Sequence, residues 1–316
     1  MTTPVPPDDP QPPSSGYSVP PDFGRYGPSS LDGPYDPLVP PPAGGLSVAW
    51  MRFNAVLRAC SGRLMLIMLL TVAVPQVVMW WLINSMVDGA TVAGNLVVPS
   101  DEAFTAVAGG VIVVALLLTL ASLLFSALGW GAGIWTITQV ASGREWSFGA
   151  AFAASARRLG PMFGWYLLYG VMVAVGLLLC VLPGLYLAAA GSMFSFVLVY
   201  QRGRAAMAES FRLVHRVFWP VVGRFLLVAG FMAAATFVVN CCTGFVTGDA
   251  EGTSPVALSV SSLADVPIYT IALVGLLLTY TQARARHEPL TTDQLWREAN
   301  QHGESPPGFP AADPSR

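Results

Sequence analysis

"GGVIVVALLLTLASLLFSALG", residues 109–129, carries no charged side chain and no regular alternation of polar and apolar positions. A helix of about 20 residues crosses a hydrocarbon core of about 30 Å. Barrel strands are about 10 residues long and alternate, which this run does not. In lipid every backbone donor and acceptor must find a partner inside the protein, so an uninterrupted apolar run reads as a spanning helix.

Five further blocks of the same kind flank it. The first runs from Leu64 to about Ile83, and the block containing the quoted run extends from about Phe104 to Val140. The others run from Pro161 to Leu182, Leu185 to Tyr200, Phe218 to Val239 and Leu263 to Thr281. The spacing predicts an all-α membrane protein with six transmembrane helices. The fourth, short and separated from the third only by Pro183 and Gly184, is either a full crossing or half of a re-entrant hairpin. Composition agrees. Of 316 residues 54% are hydrophobic and 11% charged, against about 25% charged in soluble domains.

The charges are sorted by segment. All 16 basic residues are arginine. Asp88, Asp101 and Glu102 lie between the first two blocks and Asp249 and Glu251 between the last two, with no arginine in either loop. The turn between the third and fourth blocks has no charge, and arginines gather in the N-terminal segment, the two remaining connections and the C-terminal tail. Arginine-rich connections stay cytoplasmic, so the expected location is the plasma membrane with both termini cytoplasmic. The start, "MTTPVPPDDPQPPSSG", does not read as a cleavable signal peptide.

An internal likeness organises the spans. "FAASARRLGPMFGWYLL" (152–168) and "FRLVHRVFWPVVGRFLL" (211–227) align without a gap. They share a phenylalanine, an arginine (Arg157, Arg216), a proline (Pro161, Pro220), a glycine and two leucines. A fainter copy begins at Phe53. The predicted architecture is therefore three repeats, each an amphipathic interfacial helix followed by a transmembrane hairpin. Met207, Phe211, Val214 and Phe218 fall on one helical face, and Phe148, Phe152, Ser155 and Leu159 form a similar stripe. Arg157, Arg158, Arg212 and Arg216 lie off the stripes, either as ordinary rim residues or as contacts for anionic headgroups. Pro161 and Pro220 stand where a new helix starts, since proline at a first helical position sacrifices no hydrogen bond.

Intramembrane polar residues are few. Asp265, beside Pro267, is the only acid near a span and reads either as a helix N-terminal residue or as a candidate polar site. Gly129 and Gly133 are spaced for close helix packing. No metal-ligand spacing, phosphate-binding loop or nucleophile motif occurs, so the expectation is no enzyme, no cofactor, no metal and no nucleic-acid partner. Adjacent Cys241 and Cys242 are expected as free thiols. Residues 1–46 form an expected disordered, proline-rich cytoplasmic arm, a candidate ligand for a partner protein. The membrane domain spans 47–284. The tail, 285–316, holds a short helix opened by a Thr291–Gln294 capping box and a disordered end.

"FRLVHRVFWPVVGRFLL", the preceding "RGRAAMAES" and the hairpin "VLPGLYLAAAGSMFSFVLVY" resemble those of actinobacterial six-helix integral membrane proteins. These are similar to the membrane domain fused ahead of glycerophosphodiester phosphodiesterases. The resemblance covers about residues 47–284 and implies the same fold and an actinobacterial source. It implies no activity here, because the tail is too short for a barrel of about 250 residues and no catalytic residue carries over. The sequence supports a non-catalytic module that organises partners or lipids at the cytoplasmic face. The alternative is a small-molecule or lipid transporter.

Overall fold

The structure, a computed structural model, describes residues 36–41, 45–96, 101–201, 206–248 and 254–301. Among the described residues it is all-helical. The helices are α1 (Leu46–Met68), α2 (Val74–Leu96), α3 (Asp101–Ala141), α4 (Phe148–Ala156), α5 (Leu159–Leu179) and α6 (Val181–Gly191). They continue as α7 (Phe194–Tyr200), α8 (Ala206–Arg216), α9 (Phe218–Thr247), α10 (Pro255–Ala285) and α11 (Thr292–Asn300). Six segments are long and apolar enough to cross a membrane: Ser47–Ser85, Ile112–Ala141, α5, Val181–Tyr200, α9 and α10. The chain therefore reads as a multi-pass membrane protein. Leucines and phenylalanines standing outside the bundle suit that setting, among them Leu178 (88% exposed) and Phe245 (90%).

The first span differs from its expected form. A separate interfacial helix before Leu64 is absent, because α1 runs straight through the arginine-bearing segment and joins α2 by a π-helical turn, Leu69–Ala73. Pro75 supplies the reason, since it has no N–H to offer the preceding turn and a register shift accommodates the loss. The turn buries Thr71, whose hydroxyl donates back to the Ile67 carbonyl at 2.7 Å.

The third and fourth spans also part elsewhere than expected. The break falls at Cys180, which is extended (φ −171°, ψ 146°), and Pro183 is the third residue of α6. Gly184 serves contact instead of a turn, because a Cβ on Gly176 would come within 2.9 Å of the Gly184 Cα. That close approach lets α5 and α6 pack as a tight pair. The fourth span then breaks again at Ser192 and Met193 before α7.

Two spans are longer than their hydropathy suggests. Helix α10 begins at Pro255, capped by the Ser254 hydroxyl, which accepts from Ala257 N at 3.2 Å. Ser259 and Ser262 donate to the carbonyls of Pro255 (2.6 Å) and Leu258 (2.8 Å). These bonds hide the hydroxyls that make the segment look like a loop. Helix α9 passes Asn240 and stops at Gly248, whose positive φ of 67° suits glycine as a helix terminator.

The core sits where α1, α3, α7 and α10 meet. Leu64, Met68, Ile134, Phe196, Leu273 and Tyr280 are fully buried there. Glycines of α3 admit three neighbours: a Cβ on Gly129 would collide with Thr71, one on Gly131 with Ser155, and one on Gly133 with Leu273. The expected packing role of Gly129 and Gly133 is what the bundle uses.

Candidate functional site

One end of the bundle gathers the starts of α1, α5 and α9 with the ends of α3, α7 and α10, and it carries the described arginines. Helix α11 closes this basic end. Arg284, on the last turn of α10, grips Glu298 with two parallel bonds of 2.5 and 2.7 Å and also pairs with Glu288. Fork-to-fork pairing of this kind fixes orientation as well as distance. Trp135 Nε1 donates to Asn300 Oδ1 at 3.0 Å, and the Arg144 guanidinium lies 3.4 Å from the centre of the Trp296 ring. Tyr200 and Thr138 share a hydrogen bond of 2.7 Å above this layer.

Part of the proline-rich arm belongs to the same assembly. Leu38 is fully buried, and its carbonyl accepts from the Thr281 hydroxyl at 2.7 Å. Arg52 donates to the carbonyls of Asp36 and Val39. The Asp36 carboxylate accepts from the backbone N–H groups of Leu38, Val39 and Thr292, the last at 2.7 Å. The expected capping box is therefore only half formed. Thr291 Oγ1 accepts from Gln294 N at 3.2 Å, but the Gln294 side chain bonds Glu298, and Asp36 accepts from the next N–H of the helix start, that of Thr292. The remainder of the arm, 1–35 and 42–44, and the tail end, 302–316, lie outside the described residues.

The four arginines singled out in the sequence fall in two settings. Arg158 N-caps α5 and turns inward, donating to the carbonyls of Val199 (3.0 Å) and Ala299 (2.5 Å). Both acceptors lie at helix C-terminal ends, where a cation is favoured. Arg158 is thus an internal tie. Arg157, Arg212 and Arg216 are exposed, with Arg212 paired to Glu209 at 2.8 Å. The helices that present them are pinned to the bundle: Ser155 donates to the Leu128 carbonyl (2.8 Å) and Ser210 to the Ala190 carbonyl (2.7 Å).

The corners at the two prolines match each other. Pro161 and Pro220 are each the third residue of a spanning helix, not the first as expected, and each of those spans starts two or three residues after a short helix ends. At any place in the first helical turn the missing N–H is harmless, because those groups have no partner within the helix.

Asp265 is not at a helix start, since α10 begins at Pro255. It is half-buried in the span, and its Oδ1 accepts from Thr236 at 3.5 Å. Among the described residues no ion pair includes it. Several buried threonines of the spans bond their own helices, Thr138 on Ile134, Thr270 on Val266 and Thr279 on Gly275. Thr281 instead bonds the arm, and the buried Tyr280 hydroxyl has no hydrogen-bond partner among the described residues. The described cysteines are free thiols, Cys60 buried and Cys180, Cys241 and Cys242 exposed. No group of three potential metal ligands occurs among the described residues.

Asp36, Arg52, Arg284 and Glu298 escaped the sequence reading. Arg284 alone left a trace, as an arginine placed four residues before Glu288. Compared with known protein families, with characterised proteins and with solved structures, the chain matches none.

Proposed function

We propose that the chain is a non-catalytic membrane module that organises lipids or protein partners at its basic end. The observation that supports this reading is the way polarity is distributed. The hydroxyls of Thr138, Thr270 and Thr279 inside the spans bond their own helix carbonyls, while Arg158, Arg284 and Glu298 close the basic end with α11. Arg157, Arg212 and Arg216 are exposed at the same end on pinned helices, Arg212 beside Glu209. Near an anionic surface each contributes about 1 kcal/mol of attraction.

In this reading the basic end faces the cytoplasm at the plasma membrane. The shared corner at Pro161 and Pro220 supports a duplicated unit of interfacial helix and hairpin, with the straight α1 a diverged third copy. The resemblance to the membrane domain that accompanies glycerophosphodiester phosphodiesterases fits a module with its catalysis elsewhere. A small-molecule or lipid transporter is the second reading, favoured by Asp265 alone.

Two experiments test the proposal. A reporter fused after Gly143 should be cytoplasmic and one after Gly248 external; the reverse pattern overturns the orientation. Limited proteolysis should compare the parent with the triple variant Arg157→Gln, Arg212→Gln, Arg216→Gln in anionic and in neutral liposomes. The parent should gain protection in anionic lipid and the variant should not. Equal protection of both chains in both lipids overturns the headgroup role.

A further inference from the structure

Between α1, α9 and α10 a groove of about 360 Å³ opens on the side of the bundle. That volume lies at the lower end of the range for small-molecule sites, roughly 300–1,000 Å³. Its walls are Phe53, Leu57, Val228, Phe231 and Ile271, and Gly275 forms the floor. A Cβ on Gly275 would sit 3.2 Å from Val228 Cγ2, so the absent side chain is what leaves the space. Trp50, stacked on Phe53 at 5.5 Å, stands at the mouth and is 62% exposed.

Three polar side chains join this lining: Asn54 and Thr279 bond carbonyls of their own helices, at Trp50 and Gly275, and Arg224, at the basic end, is the charged one. Gln282, itself buried, accepts a hydrogen bond from it and sets its direction. Arg286 lies close enough to repel the same guanidinium. Among the described residues no carboxylate pairs with either arginine. A cation with no paired acid, at the head of an apolar trough, calls for an anion carrying a hydrocarbon chain. Guanidinium suits phosphate, which it meets with parallel hydrogen bonds.

We propose that this groove binds one anionic phospholipid, an acyl chain along Phe53, Leu57 and Phe231 and the phosphate at Arg224. The proposal rests on the reading of the basic end as a lipid-organising surface, and adds to it a single site of defined occupancy. The rim arginines act as a diffuse field; the groove selects one molecule.

The test uses the full chain in mild detergent with equal amounts of phosphatidylglycerol and phosphatidylcholine of identical chains, read by native mass spectrometry. The parent should retain one phosphatidylglycerol with about ten-fold preference, the worth of roughly one charged hydrogen bond. Arg224→Gln should bring the preference close to unity, and Arg224→Lys should keep part of it. Leu57→Trp, which fills the trough and leaves both arginines, should lower retention of both lipids. Monodispersity and thermal midpoint equal to the parent's establish that each variant is folded.

Unchanged preference in Arg224→Gln, or unchanged retention in Leu57→Trp, overturns the groove. So does glycerol phosphate alone raising the thermal midpoint as much as the lipid, which makes the site one for free anions. The rim variant separates the two claims. If it loses protection in anionic liposomes while the groove variants keep their lipid, the groove fails and the module reading stands. If the groove variants lose their lipid and the rim variant behaves as the parent, the groove stands and the rim reading fails.

Discussion

Asp36 caps the helix that begins at Thr292. Its Oδ2 accepts from the Thr292 backbone N–H at 2.7 Å, and its Oδ1 accepts from the Thr292 hydroxyl. Two residues 256 positions apart thereby join the arm, the tail and the last span at one point. Loss of an N-cap costs about 1 kcal/mol. Asp36→Ala should therefore lower the thermal midpoint modestly and speed amide exchange over 292–300, leaving exchange in α5 and α6 unaltered. Exchange over 292–300 equal to the parent's would show that the cap contributes nothing.

The Arg284–Glu298 pair carries a larger stake. The Arg284 side chain is 7% exposed and that of Glu298 18%. Removing one member of a buried pair and stranding the other charge costs about 3–5 kcal/mol, of which the more exposed Glu288, also paired with Arg284, offsets a part when Glu298 is replaced. Glu298→Leu should be strongly destabilising, whereas Arg284→Met combined with Glu298→Leu should recover much of the loss. Chemical denaturation of the single and double variants measures the coupling. A double variant no better than the sum of the singles would contradict a buried, mutually dependent pair.

Glycines of α3 and α9 should behave in opposite ways. Gly133→Leu drives a side chain into Leu273, and Gly129→Leu into Thr71. Overpacking of this kind costs about 1–3 kcal/mol. Gly230→Ala meets open space and removes backbone freedom from the unfolded chain, so it should stabilise by up to about 1 kcal/mol. Thermal unfolding in detergent of the three variants checks the contrast. Equal effects at Gly133 and Gly230 would remove the packing explanation.

The spans, the two proline corners and the glycine contacts were legible because each has a local cause: hydrophobic run length, a missing N–H, a missing side chain. Boundaries were less so. Ser259 and Ser262 count as polar in hydropathy but bury their hydroxyls against their own helix, which disguised the first two turns of α10. Pro183 and Gly184 look like a turn, yet Pro183 lies inside the first turn of α6 and Gly184 is a contact point. Arg158 and Arg157 are neighbours of identical type, and nothing local says that one turns inward to Val199 and Ala299 while the other faces out. Asp36 was hidden for the same reason, since its partner is 256 residues away.

The account's central claim is that the outward arginines on the pinned helices α4 and α8 meet the headgroups of the membrane. The most direct measurement is the depth of spin labels placed at Arg157 and Arg216 in a chain whose cysteines are replaced, reconstituted in phosphatidylglycerol-containing bilayers. Relaxation by a lipid-soluble and a water-soluble agent gives the depth. The account predicts both labels at headgroup level, with a label at Leu178 deep in the hydrocarbon or at its far boundary. Labels at 157 and 216 as accessible to the aqueous agent as one on the tail end would contradict it.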